Sequence, residues 1–315
     1  MQNQKTDLLV SVLMITYNHS LYLAQALDSV LAQERDFNLE IVIGEDCSTD
    51  NTRAIVLDYQ QRYPGVVRAL LPTSNIGAMN NQIQVMKACR GRYIAILEGD
   101  DYWTDPHKLK RQVAYLETHP KAALVFTDCA LVNELGQVIE ENFVPAHHRH
   151  SFTLRELLRE YCPPALTVLY RNIISTIPPI FRSVMNGDLV LFTLIGQHGT
   201  LDYLPGMTAH YRYHSGGVWS SQSQERKFYN NLKTGLAILE YLGPEYRPEL
   251  MSALNWYYNQ LGTILWQKKG RRREFWKHYL KFGLFSLRTI NKEILVFTFR
   301  LLMGKINPSS PIEPD

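Results

Sequence analysis

The stretch Ile94-Ala95-Ile96-Leu97-Glu98-Gly99-Asp100-Asp101-Tyr102-Trp103-Thr104-Asp105-Pro106 decides how the rest of the chain is read. A short apolar run gives way to three acidic side chains within four residues, then to two aromatics and a proline. That is the pattern of a buried strand opening into a polar site at its carboxyl end. Carboxylates this close disfavour one another's ionisation, so the group is stable at neutral pH only with a cation or several hydrogen-bond donors among them. Oxygen donors suit Mg2+ or Mn2+, and Mg2+ usually enters with one or two carboxylates plus substrate phosphates. The competing reading is an acidic surface turn, with Asp105 capping a helix that starts near His107 and Pro106 at its first position. That reading accounts for Asp105 but not for Glu98, Asp100 and Asp101, which point to a site for metal and phosphate.

Working outward, the same motif of strand, polar end and helix precedes this stretch three times. Leu8 to Thr16 is an apolar run of strand length closed by Tyr17-Asn18-His19, and Leu23, Leu27, Val30 and Leu31 follow at helical spacing. Leu39 to Gly44 ends in Glu45-Asp46-Cys47-Ser48-Thr49-Asp50, where Ser48 or Thr49 can cap a helix carrying Ile55 and Tyr59. Val66 to Leu71 ends near Asn75-Ile76-Gly77, before a helix through Ile83, Met86 and Cys89; Tyr93 to Leu97 is the fourth strand. Such alternation predicts an α/β fold with a mostly parallel sheet flanked by helices. Tyr17, Asn18, Glu45, Asp46, Asn75, Glu98, Asp100 and Asp101 all fall just past strand carboxyl ends, where open α/β sheets bind ligands.

Composition narrows the ligand. The first strand is not followed by G-x-G-x-x-G and no G-x-x-x-x-G-K-[ST] exists, so neither a dinucleotide fingerprint nor a P-loop is present. Phosphate without a glycine cradle calls for charge neutralisation by bound metal. Cys47, Cys89, Cys129 and Cys162 are far apart and read as reduced thiols of a cytoplasmic protein. The polar Met1 to Asp7 leads straight into a strand, so no signal peptide is expected, and no apolar run reaches membrane-spanning length. From Lys268 to Lys305 eleven basic residues face two acids, a local +9 that leaves −6 for the remainder of a chain with net charge +3. The acidic body argues against nucleic acid as a partner. The basic, aromatic segment Phe275 to Phe299 fits a helix lying on an anionic membrane as well as one packed on its own domain. His147-His148-Arg149-His150 lacks the spacing of a zinc motif.

In order and spacing, Thr16-Tyr17-Asn18, Glu45-Asp46-Cys47-Ser48-Thr49-Asp50, Asn75-Ile76-Gly77 and Glu98-Gly99-Asp100-Asp101 resemble the family 2 glycosyltransferases of GT-A fold. The resemblance covers about residues 8 to 220. Glu98 to Pro106 with Lys108-Leu109-Lys110-Arg111-Gln112, and His214-Ser215-Gly216-Gly217-Val218-Trp219-Ser220, look like the branch that builds bacterial surface polysaccharides. The resemblance implies a nucleotide-sugar donor, most often a UDP-sugar, a saccharide or lipid-linked acceptor, transfer with inversion, and Mg2+ or Mn2+. Thr16, Tyr17 and Asn18 would contact the nucleoside and Asp46 the base, with Glu45, Asn75 and Gly77 completing the nucleotide site. Glu98 and Asp100 stand at the DxD acids as metal ligands, Asp100 the more direct, and Asp101 would orient the donor. The chain departs from the common pattern with Glu for Asp at 45 and 98 and Cys47 for Gly.

An acceptor hydroxyl is a poor nucleophile at neutral pH and needs a carboxylate to take its proton. The resemblance places that group at Asn186-Gly187-Asp188-Leu189, making Asp188 the base; capping the helix Leu189 to Ile195 is its structural alternative. Asp202, before a Tyr-Leu-Pro strand edge, reads as structural. Arg212 and His214 would approach the donor phosphates or cover the site, and Trp103 would stack on a sugar or join the core. The expected domains are residues 1–220 for the transferase, 221–306 for a helical extension and 307–315 for a disordered tail. The competing functions are a sugar-nucleotide pyrophosphorylase, which would want a Gly-rich basic loop where Thr16-Tyr17-Asn18-His19 stands, and a non-catalytic nucleotide-sugar or glycan binder. The enzyme would be cytoplasmic, on the inner membrane face.

Overall fold

The computed structural model describes residues 6–159 and 162–267. Strand and helix alternate through β1 (Thr6–Thr16), α1 (Leu23–Leu31), β2 (Phe37–Glu45), α2 (Thr52–Arg62), β3 (Val67–Leu70), α3 (Ala78–Ala88) and β4 (Tyr93–Ile96). All four expected strands are present, with ends within two residues of those expected. On α1, Leu23, Ala26, Leu27 and Val30 recur on one helical face and are fully buried. In β2 every residue from Leu39 to Glu45 is buried, the continuous burial of a parallel strand covered on both faces. Contact between β2 and α3 is close: a Cβ on Gly44 would lie 2.1 Å from Asn81 Oδ1 and 2.6 Å from Val85 Cγ2. Asn81 Nδ2 donates to the Gly44 carbonyl at 2.8 Å across that contact.

Past β4 come β5 (Tyr102–Trp103), α4 (Lys108–Thr118), β6 (Ala122–Val132), β7 (Val138–Glu140), α5 (Leu154–Arg159), β8 (Leu169–Arg171), α6 (Ile180–Ser183), α7 (Gly187–Gly196) and β9 (Thr200–Arg212). The strands form one 9-stranded sheet in the order β3-β2-β1-β4-β8-β6-β9-β5, with β7 paired to β6. β1 to β4, β6 and β9 run one way, and β5, β7 and β8 oppose them, which gives the expected mostly parallel α/β sheet. Two-residue β5 pairs Tyr102 with His210 and Trp103 with Ala209, drawing the end of β9 against the acidic turn after β4. Asp105 is not the cap of α4: the helix starts at Lys108, two residues later than expected, after His107, and Asp105 instead braces the turn before it, its Oδ1 accepting the His107 amide at 2.8 Å.

The chain divides into two compact units between Ser221 and Gln222. In the second, α8 (Gln224–Leu242) is capped by Ser223, whose hydroxyl accepts the Arg226 amide at 3.4 Å. It packs on α9 (Arg247–Gln267) so closely that a Cβ on Gly235 would lie 2.8 Å from Leu254 Cδ2. Leu232, Leu239, Leu254, Tyr258 and Leu261 are buried, while Leu236 and Tyr257 are half-buried. Phe275 to Phe299 and residues 307–315 lie outside the described residues. No described helix is long and apolar enough to cross a membrane.

Candidate active site

The loops after β1 and β2 brace each other. Asn18 Oδ1 accepts the Thr49 amide at 2.8 Å, and the amides of Asn18, His19 and Ser20 donate to Ser48 Oγ (3.0 Å), Thr52 Oγ1 (2.8 Å) and Asp50 Oδ2 (3.1 Å). Asn18 and Cys47 take positive φ, 55° and 58°. Glycine adopts that region without penalty, which explains why Gly is usual at position 47, and Cys47 carries the local strain instead. Glu45 is fully buried, accepts the Ser48 amide at 2.6 Å and pairs with Arg53. Asp46 accepts the amides of Ile76 (2.8 Å) and Gly77 (2.9 Å), while Asn75 Nδ2 donates to its carbonyl at 3.0 Å. Each carboxylate oxygen of Asp46 keeps a second lone pair. Thr16 is buried with its hydroxyl unpartnered, and Tyr17, 40% exposed, offers an open ring face.

At the acidic turn the three carboxylates have different surroundings. Asp100 Oδ2 accepts from His214 Nε2 at 3.0 Å and lies 3.6 Å from His19 Nε2. Burial opposes its ionisation, but the two imidazoles outweigh burial and hold Asp100 below the usual carboxylate range. Asp101 Oδ1 accepts the Arg212 amide at 2.7 Å; burial and its neighbours Asp100 and Glu98 push it well up. Burial, then Asp188 and Asp100, push Glu98 up to about 8. Asp188 lies in the first turn of α7 and not at its cap; burial pushes it up to about 6 against a hydrogen bond from Gln82. A carboxylate in that range is ionised at neutral pH yet basic enough to accept a proton, which suits a general base.

Donor atoms of His19, Asp100 and His214 lie within 4.8 Å of one another, a set that fits a divalent ion. Asp100 is in the expected ligand group, whereas Glu98 stands outside it, raised in pKa and close to Asp188. Two other expectations are corrected. Trp103 is not a sugar platform: it is 4% exposed, its Nε1 donates to the Leu166 carbonyl at 2.8 Å, and buried Lys108 sits 4.3 Å over its ring. Arg212 is 4% exposed, its guanidinium taken up by protein acceptors. Its guanidinium donates to the carbonyls of Asp100 (2.9 Å) and Glu134 (3.0 Å) and to Gln25 Oε1 (2.7 Å). Asp202 is structural as expected, accepting from the Tyr115 hydroxyl at 3.0 Å. Sequence reading left His19 and Gln82 without a role; the signal for His19 was its place beside Asn18 at a strand carboxyl end.

Comparison with known proteins bears on the family and the fold. Residues 11–165 match the model of glycosyl transferase family 2. An uncharacterized protein of Mycobacterium tuberculosis is 37% identical over 229 residues, 72% of this chain and 66% of the relative's length. TuaG of Bacillus subtilis, named as a teichuronic acid biosynthesis glycosyltransferase, is 30% identical over 161 residues, 51% of this chain and 61% of TuaG. The crystal structure of Staphylococcus aureus TarS residues 1–349 in complex with UDP superposes with a TM-score of 0.63 at 18% identity, covering 85% of this chain and 77% of that one. The chain belongs to glycosyltransferase family 2 and has the GT-A fold.

Proposed function

We propose that the chain is an inverting glycosyltransferase that moves a hexosyl or N-acetylhexosaminyl group from a nucleotide sugar, a UDP-sugar first, to a saccharide or lipid-linked acceptor of a cell-surface polysaccharide. The observation that carries this reading is Asp188: a half-buried carboxylate raised to about 6, beside Glu98, in the same neighbourhood as Asp100 and the two histidines. The family, the UDP held by TarS and the name of TuaG support donor and pathway class. Residues 1–220 would form the transferase, and the basic stretch beyond Lys268 would hold it to the inner membrane face.

Thr16, Tyr17 and Asp46 receive the nucleoside, with Asn18, Glu45, Asn75 and Gly77 fixing the loops that present them. Asp188 takes the proton from the acceptor hydroxyl as that oxygen attacks the anomeric carbon. Glu98, neutral below about 8, leaves Asp188 as the nearby carboxylate able to act as base at neutral pH. When bound by Asp100 and His214, Mg2+ or Mn2+ would supply Lewis-acid neutralisation of the departing diphosphate. Nucleoside diphosphate release from a panel of UDP-, GDP- and dTDP-sugars with membrane-extracted acceptor, with divalent metal or EDTA, tests this reading. Metal-dependent release from one donor class is expected. Donor binding without turnover on any acceptor would make the chain a binding module instead.

A further inference from the structure

An all-oxygen site would treat Mg2+ and Mn2+ much alike, but the site in this structure is not all oxygen. Two of the three donor atoms that meet at Asp100 are imidazole nitrogens, from His19 and His214. Imidazole suits first-row transition ions, with Mn2+ the weakest of that series, and suits Mg2+ least, an ion held by carboxylates, carbonyls and water. Two histidines and one carboxylate also leave coordination positions open for phosphate oxygens.

We propose that His19 is a third ligand of the metal site, and that with Asp100 and His214 it makes the site select Mn2+ and its transition-metal neighbours over Mg2+. This rests on the glycosyltransferase reading above. A structural role does not account for the His19 ring. Its Nε2 is 3.6 Å from Asp100 Oδ2, too long for a hydrogen bond, and its Nδ1 is buried without a partner. The backbone, by contrast, is fixed: the His19 amide donates to Thr52 Oγ1 at 2.8 Å, and its carbonyl accepts the amides of Tyr22 and Leu23 at 2.9 Å, at the entry to α1. The ring meets His214 edge-on, with centroids 6.1 Å apart and planes at 79°, so both nitrogens converge on one carboxylate oxygen from different directions. Close packing keeps it there, because a Cβ on Gly99 would come within 2.6 Å of Thr16 Oγ1 and 3.0 Å of His19 Nδ1.

The test is metal binding by the full chain with UDP present, read by loss of the aqueous Mn2+ electron paramagnetic resonance signal and by competition with Mg2+ and Co2+. Wild type should bind Co2+ more tightly than Mn2+, and Mn2+ at least about tenfold more tightly than Mg2+. His19→Asn should lower Mn2+ affinity at least about tenfold and narrow the Mn2+ to Mg2+ ratio. In the Co2+ form, His19→Cys should show a thiolate-to-cobalt charge-transfer band that His19→Ala lacks; this reading decides the matter if His19→Asn fails to fold. An unchanged ratio in a folded His19→Asn chain, or no band in a folded His19→Cys chain, would overturn the assignment. Sugar transfer supported equally by Mg2+ and Mn2+ would also overturn it and leave the glycosyltransferase reading intact. Selective, His19-dependent Mn2+ binding without turnover of any donor would support the site and defeat the activity.

Discussion

Arg212→Ala should destabilise the first compact unit and leave phosphate recognition by its folded fraction intact. The guanidinium joins three separate pieces of chain: the acidic turn through the Asp100 carbonyl (2.9 Å), the turn after β6 through the Glu134 carbonyl (3.0 Å), and α1 through Gln25 (2.7 Å). It also lies 4.6 Å from the Tyr22 ring centroid and 5.1 Å from that of Tyr102. Each charge-assisted bond contributes about 1.5–3 kcal/mol, and removing one member of a buried charged network costs about 3–5 kcal/mol in total. For a unit of this size that corresponds to a fall in Tm of roughly 6–20 °C. Arg212→Lys should recover little of it, because one ammonium cannot span acceptors that a planar fork reaches together. Thermal scans, with urea unfolding to show an unchanged m value, read the cost, and UDP titration of the folded fraction reads donor binding. A variant melting within about 2 °C of wild type but losing more than tenfold in UDP affinity would refute the strut and return Arg212 to the phosphates.

Three further outcomes follow from particular contacts. Gly44→Ala puts a Cβ 2.1 Å from Asn81 Oδ1, so Asn81 must give up its bond to the Gly44 carbonyl; a loss of about 1–3 kcal/mol in thermal unfolding is expected, and an unchanged midpoint would contradict the packing. The kcat/KM profile should rise with pH through about 6 as Asp188 loses its proton, and Gln82→Ala should move that limb upward, because the Gln82 bond favours the charged form; a downward move would contradict it. Removing residues 268–315, with eleven basic side chains from Lys268 to Lys305, should shift the chain from membrane to soluble fractions, and unchanged partitioning would defeat the membrane role.

Elements with a repeating local signal were legible in the sequence. β1 to β4 announced themselves as apolar runs ending in polar residues, and α1 through the helical spacing of Leu23, Leu27, Val30 and Leu31, of which the first three are fully buried and Leu31 half-buried. β5 and β8 did not, because two or three residues are too few to show a period. The short β5 ladder nevertheless draws Arg212 and His214 to the acidic turn, so their partners depended on a pairing invisible in the sequence. His19 stood in plain view beside Asn18, yet its neighbour Asp100 is set by the parallel register that places Leu13 beside Ile96. Trp103 and Arg212 failed as site residues for one physical reason: an aromatic ring or a guanidinium after a polar turn serves a ligand and a core equally well. Only the Leu166 carbonyl and the Gln25 side chain decide between them. Glu45 is similar, since its acidity reads as a ligand contact until Arg53 is seen beside it.

The most direct test of the account is Asp188→Asn. The amide keeps the side chain's size and imitates the protonated form that folding favours. A group whose folded pKa of about 6 exceeds its unfolded value near 3.8 loses stability as pH rises through that interval, so the variant should gain stability relative to wild type on going from pH 4 to pH 8. Folding is therefore preserved where activity is measured. The measurement is kcat for sugar transfer, with donor affinity by calorimetry on the same preparations. The account predicts kcat down by about 10²–10⁴ with donor affinity unchanged within a few-fold. A kcat within tenfold of wild type, with inverted product still formed, would contradict the assignment of Asp188 as the base.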